Sequence, residues 1–189
     1  MHSNSLEGHL LIAAPRMGDS VFDRSVVLML HHDENGAMGI ILNRPMSFSG
    51  NQGQFGPVQL LEALAQDSDR RVQLGGPVSG PLIVLHQASE SEEGSARGGV
   101  FVIERREQLE QLVQQSDSSL SFFVGHAGWS AGQLEQEIAN GAWLSTPAAP
   151  EFVFGDHEDM WTDAIRETGR TFYREVLNIH EFPADSSLN

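Results

Sequence analysis

Ser119-Leu-Ser-Phe-Phe-Val-Gly-His-Ala-Gly-Trp-Ser-Ala-Gly-Gln-Leu-Glu-Gln-Glu-Ile138 is the stretch on which the fold turns. Leu120, Phe122 and Val124 recur with the two-residue period of a buried strand. Gly125, Gly128 and Gly132 free the backbone for a tight turn. Ser130 is placed to cap a helix, and Gln133, three residues on, can bond back to the Ser130 N–H as in a capping box. Leu134 and Ile138 then form the apolar stripe of that helix, with Gln133, Glu135, Gln136 and Glu137 expected to face water. The stretch therefore predicts a strand, a glycine-rich turn and a helix. A helix start fed by such a turn can hold an anion, and it can equally be a plain connection.

Upstream, Gly8–Pro15 reads as a short buried strand stopped by proline. Ser25–His31 is almost wholly apolar, as in a strand covered on both faces. Asn35-Gly36 is the strongest hairpin signal, and Ala37–Asn43 is the return strand. Pro57–Gln66 reads as a helix, Arg71–Leu74 as a short strand, Gly75–Val78 as a second glycine-rich turn and Leu82–His86 as a strand. Ser89–Gly98 is the most polar segment and reads as an exposed loop. A strand over Gly99–Ile103 and a helix over Arg105–Gln115 lead back to the opening stretch. Pro147 and Pro150 break the chain after Trp143-Leu144, and Asp156 is expected to cap a last helix that ends at Gly169. Strands and helices do not alternate strictly. The expectation is an α+β fold with a mixed, mostly antiparallel, barrel-like sheet flanked by helices. One domain over residues 1–189 is expected, with its core at about 8–182 and frayed ends.

Composition narrows the chemistry. The chain has 189 residues, 40% hydrophobic and 20% charged, which is a globular composition. All 11 basic residues are arginine, and cysteine is absent. Schiff-base lysines, phosphate-loop lysines, thiol nucleophiles, disulfides and cysteine-ligated zinc are thereby excluded. A net charge of −15 argues against direct nucleic-acid binding, which draws its affinity from basic residues on phosphates. Arg70-Arg71 and Arg105-Arg106 are the only basic pairs, and acids stand close to both. No secretory segment or membrane-spanning run is visible, and a cytoplasmic protein is expected.

Several motifs occur together and in order. They are Leu11–Pro15, Phe22–Leu28, Gly36–Pro45, Gly75–Val78, Leu85-His86, Gly125–Glu135, Asn140 and Trp143-Leu144. In this set, from about Leu10 to Gly169, the chain resembles the YqgE/AlgH family, also called UPF0301 or DUF179. The resemblance implies a compact α+β bacterial protein with a barrel-like sheet and carries a transcriptional-regulator label. It implies no catalytic residues. The chain departs from the family pattern at His126, where tyrosine is usual, and at Ser130.

Three chemical readings follow. Gly128-Trp-Ser-Ala-Gly132 matches the nucleophile elbow of hydrolases, with Asp156 (or Asp159, Asp163) and His180 following in the right order. Against a small serine hydrolase of this kind stand the short chain and the missing βα alternation. His31, His32, Asp33, His86, His126 and His157 show no metal-ligand spacing, and adjacent strand residues such as His31 and His32 point to opposite faces. No metal and no cofactor is therefore expected. Asn43, Gly75, Gly76, His86, His126, Gly128, Trp129 and Ser130 can line one small-ligand site, or the glycines can serve only turns and close strand packing. Trp129, Trp143 and Trp161 suit core packing, with an exposed Trp129 marking a partner surface. The favoured reading is a non-enzymatic regulatory protein acting through a protein partner or small ligand.

Overall fold

The computed structural model describes residues 5–18, 20–46, 71–86, 100–103, 120–155 and 159–177. Eight strands are present among them: β1 (His9–Ala13), β2 (Val26–Asp33), β3 (Gly36–Ile41), β4 (Arg71–Leu74), β5 (Val78–His86), β6 (Val100–Ile103), β7 (Leu120–Ser130) and β8 (Trp143–Pro147). Three α-helices accompany them, α1 (Gln133–Ala139), α2 (Pro150–Phe154) and α3 (Met160–Leu177). The expected helices over 57–66 and 105–115 and the loop over 89–98 lie outside the described residues.

The strand order is β6-β5-β7-β3-β2-β1-β8, with β4 added alongside β7. Among the described residues only the β4–β7 pair is parallel, so the sheet is mixed and mostly antiparallel. The expected barrel-like sheet is realised as an open one, with β6 and β8 at the two ends of the path.

The two-residue period sorts the apolar side chains onto two faces. Leu10, Ile12, Val26, Leu28, Ile40 and Leu42 pack on one side with Met160 and Ala164 of α3 and Val153 of α2. Leu11, Ala13, Val27, Met29, Ala37 and Ile41 pack on the other with Trp129, Leu134 of α1 and Trp143. This double covering is why Ser25–His31 carries no polar alternation until its last residues.

β7 departs most from expectation. It does not stop at Val124 but runs eleven residues, through the supposed turn, to Ser130. Gly125, at φ +75°, bends the strand without ending it. Before the bend β7 pairs with β4 and β5; beyond it, Ala127–Ser130 pair with β3. Gly75 and Gly76 belong to the same crossing. A Cβ on Gly75 would lie 2.3 Å from the Gly125 carbonyl oxygen, and one on Gly76 would lie 2.2 Å from the His126 carbonyl carbon. Gly75 N–H donates to Val124 O at 2.8 Å, and Ile41 N–H donates to Gly75 O at 2.8 Å. Three backbones meet here, and the glycines are what lets them meet.

The hairpin between β2 and β3 forms, with Asp33 opposite Gly36 and Glu34-Asn35 as its loop. Asn35 N–H donates to Asp33 Oδ1 at 2.8 Å, an Asx turn. Gly36 opens β3 because Trp129 O fills the space a side chain would need, 2.4 Å from a Cβ there. Two further expectations are corrected. Trp143-Leu144 begins a strand, β8, paired with β1. Gly169 does not stop α3, which continues to Leu177; the apolar contacts of Met160, Trp161, Ala164 and Ile165 outweigh its weak helix preference.

Candidate functional site

β7 beyond Gly125 presents two faces. Ala127 and Trp129 point inward; His126, Gly128 and Ser130 point outward.

On the inward face, Trp129 is 6% exposed and Trp143 2%. Their ring centroids lie 6.1 Å apart edge-to-face, and Phe22 lies within 6.1 Å of Trp129 and 5.5 Å of Trp143. Each buried indole N–H needs an acceptor. Glu137 supplies one to both: its Oε2 accepts from Trp129 Nε1 at 2.9 Å and Trp143 Nε1 at 2.8 Å. Its Oε1 accepts from Gln133 Nε2 at 2.9 Å, and Gln133 Oε1 accepts from the Ser130 N–H at 3.1 Å and the Ser130 hydroxyl at 3.0 Å. Glu137 was expected to face water and instead turns back beneath α1. The back-bond from Gln133 to Ser130 is the expected one. The Ser130 hydroxyl does not cap the helix, whose cap position is Gly132 at φ +74°.

One residue along β2, His32 joins the same region. Its Nε2 lies 2.9 Å from Glu135 Oε1, and its Nδ1 accepts from the Leu6 N–H at 3.0 Å. The Glu135 carboxyl is held below the usual range by its own backbone N–H and by the His32 ring. His31, on the opposite face, lies 3.2 Å from Asp33. The Asn35 backbone N–H and side-chain amide, with His31 adding, lower the Asp33 carboxyl.

The outward face is an open piece of sheet. His31 is opposite Met38, Met38 opposite Gly128, and Val78 opposite His126. Paired residues share a face, so His31, Met38, Gly128, His126 and Val78 form one surface, with Ser130 at its end. Val78 is 43% exposed. A Cβ added at Gly128 would meet nothing nearer than His126 Cδ2 at 4.0 Å.

The remaining sequence candidates fall elsewhere. Asn43 ties a loop to the sheet: its Oδ1 accepts from Val26 N–H at 2.9 Å and its Nδ2 donates to Arg24 O at 2.8 Å. Arg44 completes that tie through Val21 O and Asp23 O. The loop holds Arg24 at φ 51°, its guanidinium 5.6 Å over the Trp161 ring. Gly75 and Gly76 are filled by backbone, as above. His86 ends β5 opposite Leu120. Asp156 and His180, the acid and base of the hydrolase reading, lie outside the described residues, as does His157. Ser130 itself has strand backbone, not the strained turn of a nucleophile elbow, and its hydroxyl is bonded to an amide oxygen that is no base. Among the described residues no three His, Asp or Glu side chains stand close enough to hold a metal ion, and no helix is long and apolar enough to cross a membrane.

Sequence reasoning missed the role of Glu137 and the His32–Glu135 pair, whereas Phe22, readable from the sequence as the anchor of the Arg16–Arg24 connection, does pack on the core. Trp129 and Trp143 stand eight and six residues from Glu137, spacings that no helix or strand period brings together.

Comparison with known proteins bears on the whole of this arrangement. The family model described as DUF179, AlgH-like, matches residues 10–173. A UPF0301 protein of Chlorobium limicola is 37% identical over 185 residues, covering 93% of each chain. A UPF0301 protein of Myxococcus xanthus is 40% identical over 166 residues, 85% of this chain and 89% of that one. The solution structure of the AlgH protein from Pseudomonas aeruginosa superposes with a TM-score of 0.65 at 28% identity, over 97% of this chain and 98% of its own. With its glycine crossing, its two-faced seventh strand and this span of similarity, the chain belongs to the DUF179, AlgH-like family.

Proposed function

We propose that the chain is a non-enzymatic regulatory protein that works through a protein partner or a small ligand bound on the outward face of β2, β3 and β7. The observation that carries this reading is the division of labour along β7. The inward residues of the family motif are committed to internal bonds, whereas His31, Met38, His126, Gly128 and Val78 make an open surface of mixed apolar and imidazole character. A net charge of −15 supports action without a direct grip on DNA. So does the use of arginine. Among the described side chains, Arg16 donates to Asn140 O, Arg24 covers Trp161, Arg44 holds two carbonyls, and Arg166 and Arg170 pair with Asp163 and Glu167.

The test is a pull-down from native lysate with nuclease present, using the wild-type chain and Gly128→Arg. A Cβ added there meets nothing nearer than 4.0 Å, so the variant is expected to fold, which circular dichroism checks. A protein retained by the wild type and lost by the variant supports the reading. Recovery of nucleic acid alone, or stable binding to random DNA at physiological salt, overturns it. Labelling of Ser130 by a fluorophosphonate would instead establish the hydrolase.

A further inference from the structure

His32 stands where three segments meet. It lies on β2 with a side chain only 7% exposed, one ring nitrogen toward the N-terminal segment and the other toward α1. A backbone nitrogen can only donate, so Nδ1, 3.0 Å from Leu6 N, is the acceptor and carries no proton. The proton of the neutral ring is then on Nε2, aimed at the Glu135 carboxylate 2.9 Å away.

These two bonds respond differently to a second proton. The Nε2–H bond to Glu135 survives and gains ionic character. The Leu6 bond cannot survive, because a protonated Nδ1 would confront an N–H with another N–H. Glu135 keeps the ring in place in either state, so the consequence falls on the N-terminal segment alone. That segment is also tied by Ser5 Oγ donating to His32 O at 2.9 Å, by Leu6 O accepting from the His9 N–H at 2.9 Å and by the Leu6 side chain, which packs against the inward core. From Gly8 onward the chain is fixed by Gly8 N–H on Met29 O and by pairing of β1.

We propose that His32 is a proton-operated latch: the neutral ring holds Leu6 of this N-terminal strap against the inward core, and proton uptake at Nδ1 releases it. Acidification then withdraws Leu6 and uncovers apolar surface of the inward core. Among the described residues, the charged groups around the ring are few. Glu135 faces it from α1. Glu7 is on the strap itself. Asp33, next along β2, is engaged with His31 on the other face. The neighbouring residues of β3 and β7, Gly36, Ala37, Trp129 and Ser130, carry no charge. The Leu6 N–H and a second proton compete for the same Nδ1 lone pair, so closure of the strap and protonation exclude each other.

The experiment is nitrogen-15 NMR of the whole chain. At neutral pH, Nδ1 of His32 is unprotonated and shows a coupling across the hydrogen bond to the Leu6 amide. On acidification that coupling disappears in step with His32 titration. Leu6 protection against exchange, corrected for intrinsic rate, falls about tenfold per pH unit below the midpoint, while the indole N–H signals of Trp129 and Trp143 persist. In His32→Asn, whose side-chain oxygen can take the place of Nδ1 without titrating, Leu6 stays protected throughout. The proposal is overturned by a proton on Nδ1 at neutral pH, or by Leu6 remaining protected while His32 titrates. It is equally overturned by Leu6 opening at the same pH in the asparagine variant, or by a ring that stays neutral until the whole chain unfolds.

Discussion

Replacing Glu137 with alanine tests the account of the inward face most directly. The substitution leaves two indole N–H groups, on side chains 6% and 2% exposed, without their acceptor. A buried donor stripped of its partner costs about 1–3 kcal/mol. The third donor, Gln133 Nε2, is exposed and finds water. The carboxylate is half-buried, so its removal also returns some desolvation cost. The expected net loss is about 3 kcal/mol. For a chain of this size that lowers Tm by about 6–12 °C. Glu137→Gln keeps an oxygen for the indoles but turns an amide nitrogen toward Gln133 Nε2, and about half the loss is expected. The assay is urea unfolding followed by tryptophan fluorescence and circular dichroism together. A cycle with Trp129→Phe and Trp143→Phe isolates the cause, since without indole donors the Glu137→Ala penalty should shrink by at least about 1 kcal/mol. A Glu137→Ala loss under about 0.5 kcal/mol, or a loss undiminished in the phenylalanine background, would refute the reasoning.

Other expectations follow from the same geometry. Gly76→Ala places a methyl 2.2 Å from the His126 carbonyl carbon at φ +157°, so it should cost about 3 kcal/mol or more and reduce the yield of folded protein, measured by urea titration. Gly169→Ala lies within α3 with nothing within 4 Å of the new carbon, and should raise stability by about 0.5–1 kcal/mol, seen as a higher urea midpoint at unchanged slope. Glu135, whose carboxyl is lowered in the folded chain, adds stability that is fully present above its ordinary value of 4.5 and is lost as pH falls through the depressed one. Glu135→Gln should therefore flatten the decline of stability in that acid window; an unaltered acid limb would count against the bonds that hold the Glu135 carboxylate.

The legible part of the site was its local part. The Gln133-to-Ser130 bond spans three residues, and the sequence spacing alone anticipates it. The outward placing of Gly128 and Ser130 and the inward placing of Trp129 follow from strand alternation, provided the strand is known to continue. That proviso is where the reading failed. A glycine inside an apolar run signals either a stop or a bend, and the choice depends on which backbones lie alongside. Gly125 bends because Gly75 and Gly76, some fifty residues earlier, cross over it. The strand over Trp143–Pro147 was missed for a related reason, since Pro147 reads as a breaker until β1 is there to pair with it.

Sequence by itself determined most of the strand runs but not β8 or the full length of β7, together with the α+β class, the chemistry excluded by the missing lysine and cysteine, and the family. Each of these is local or compositional, set by side-chain period, backbone permission and charge. Tertiary structure alone decided the order of the eight described strands, the open sheet, the convergence of Trp129 and Trp143 on Glu137 with Phe22 against their rings, and the pinning of Leu6 by His32. Those contacts join residues far apart along the chain, and their geometry depends on how the two faces of one sheet are covered, which no short-range period encodes.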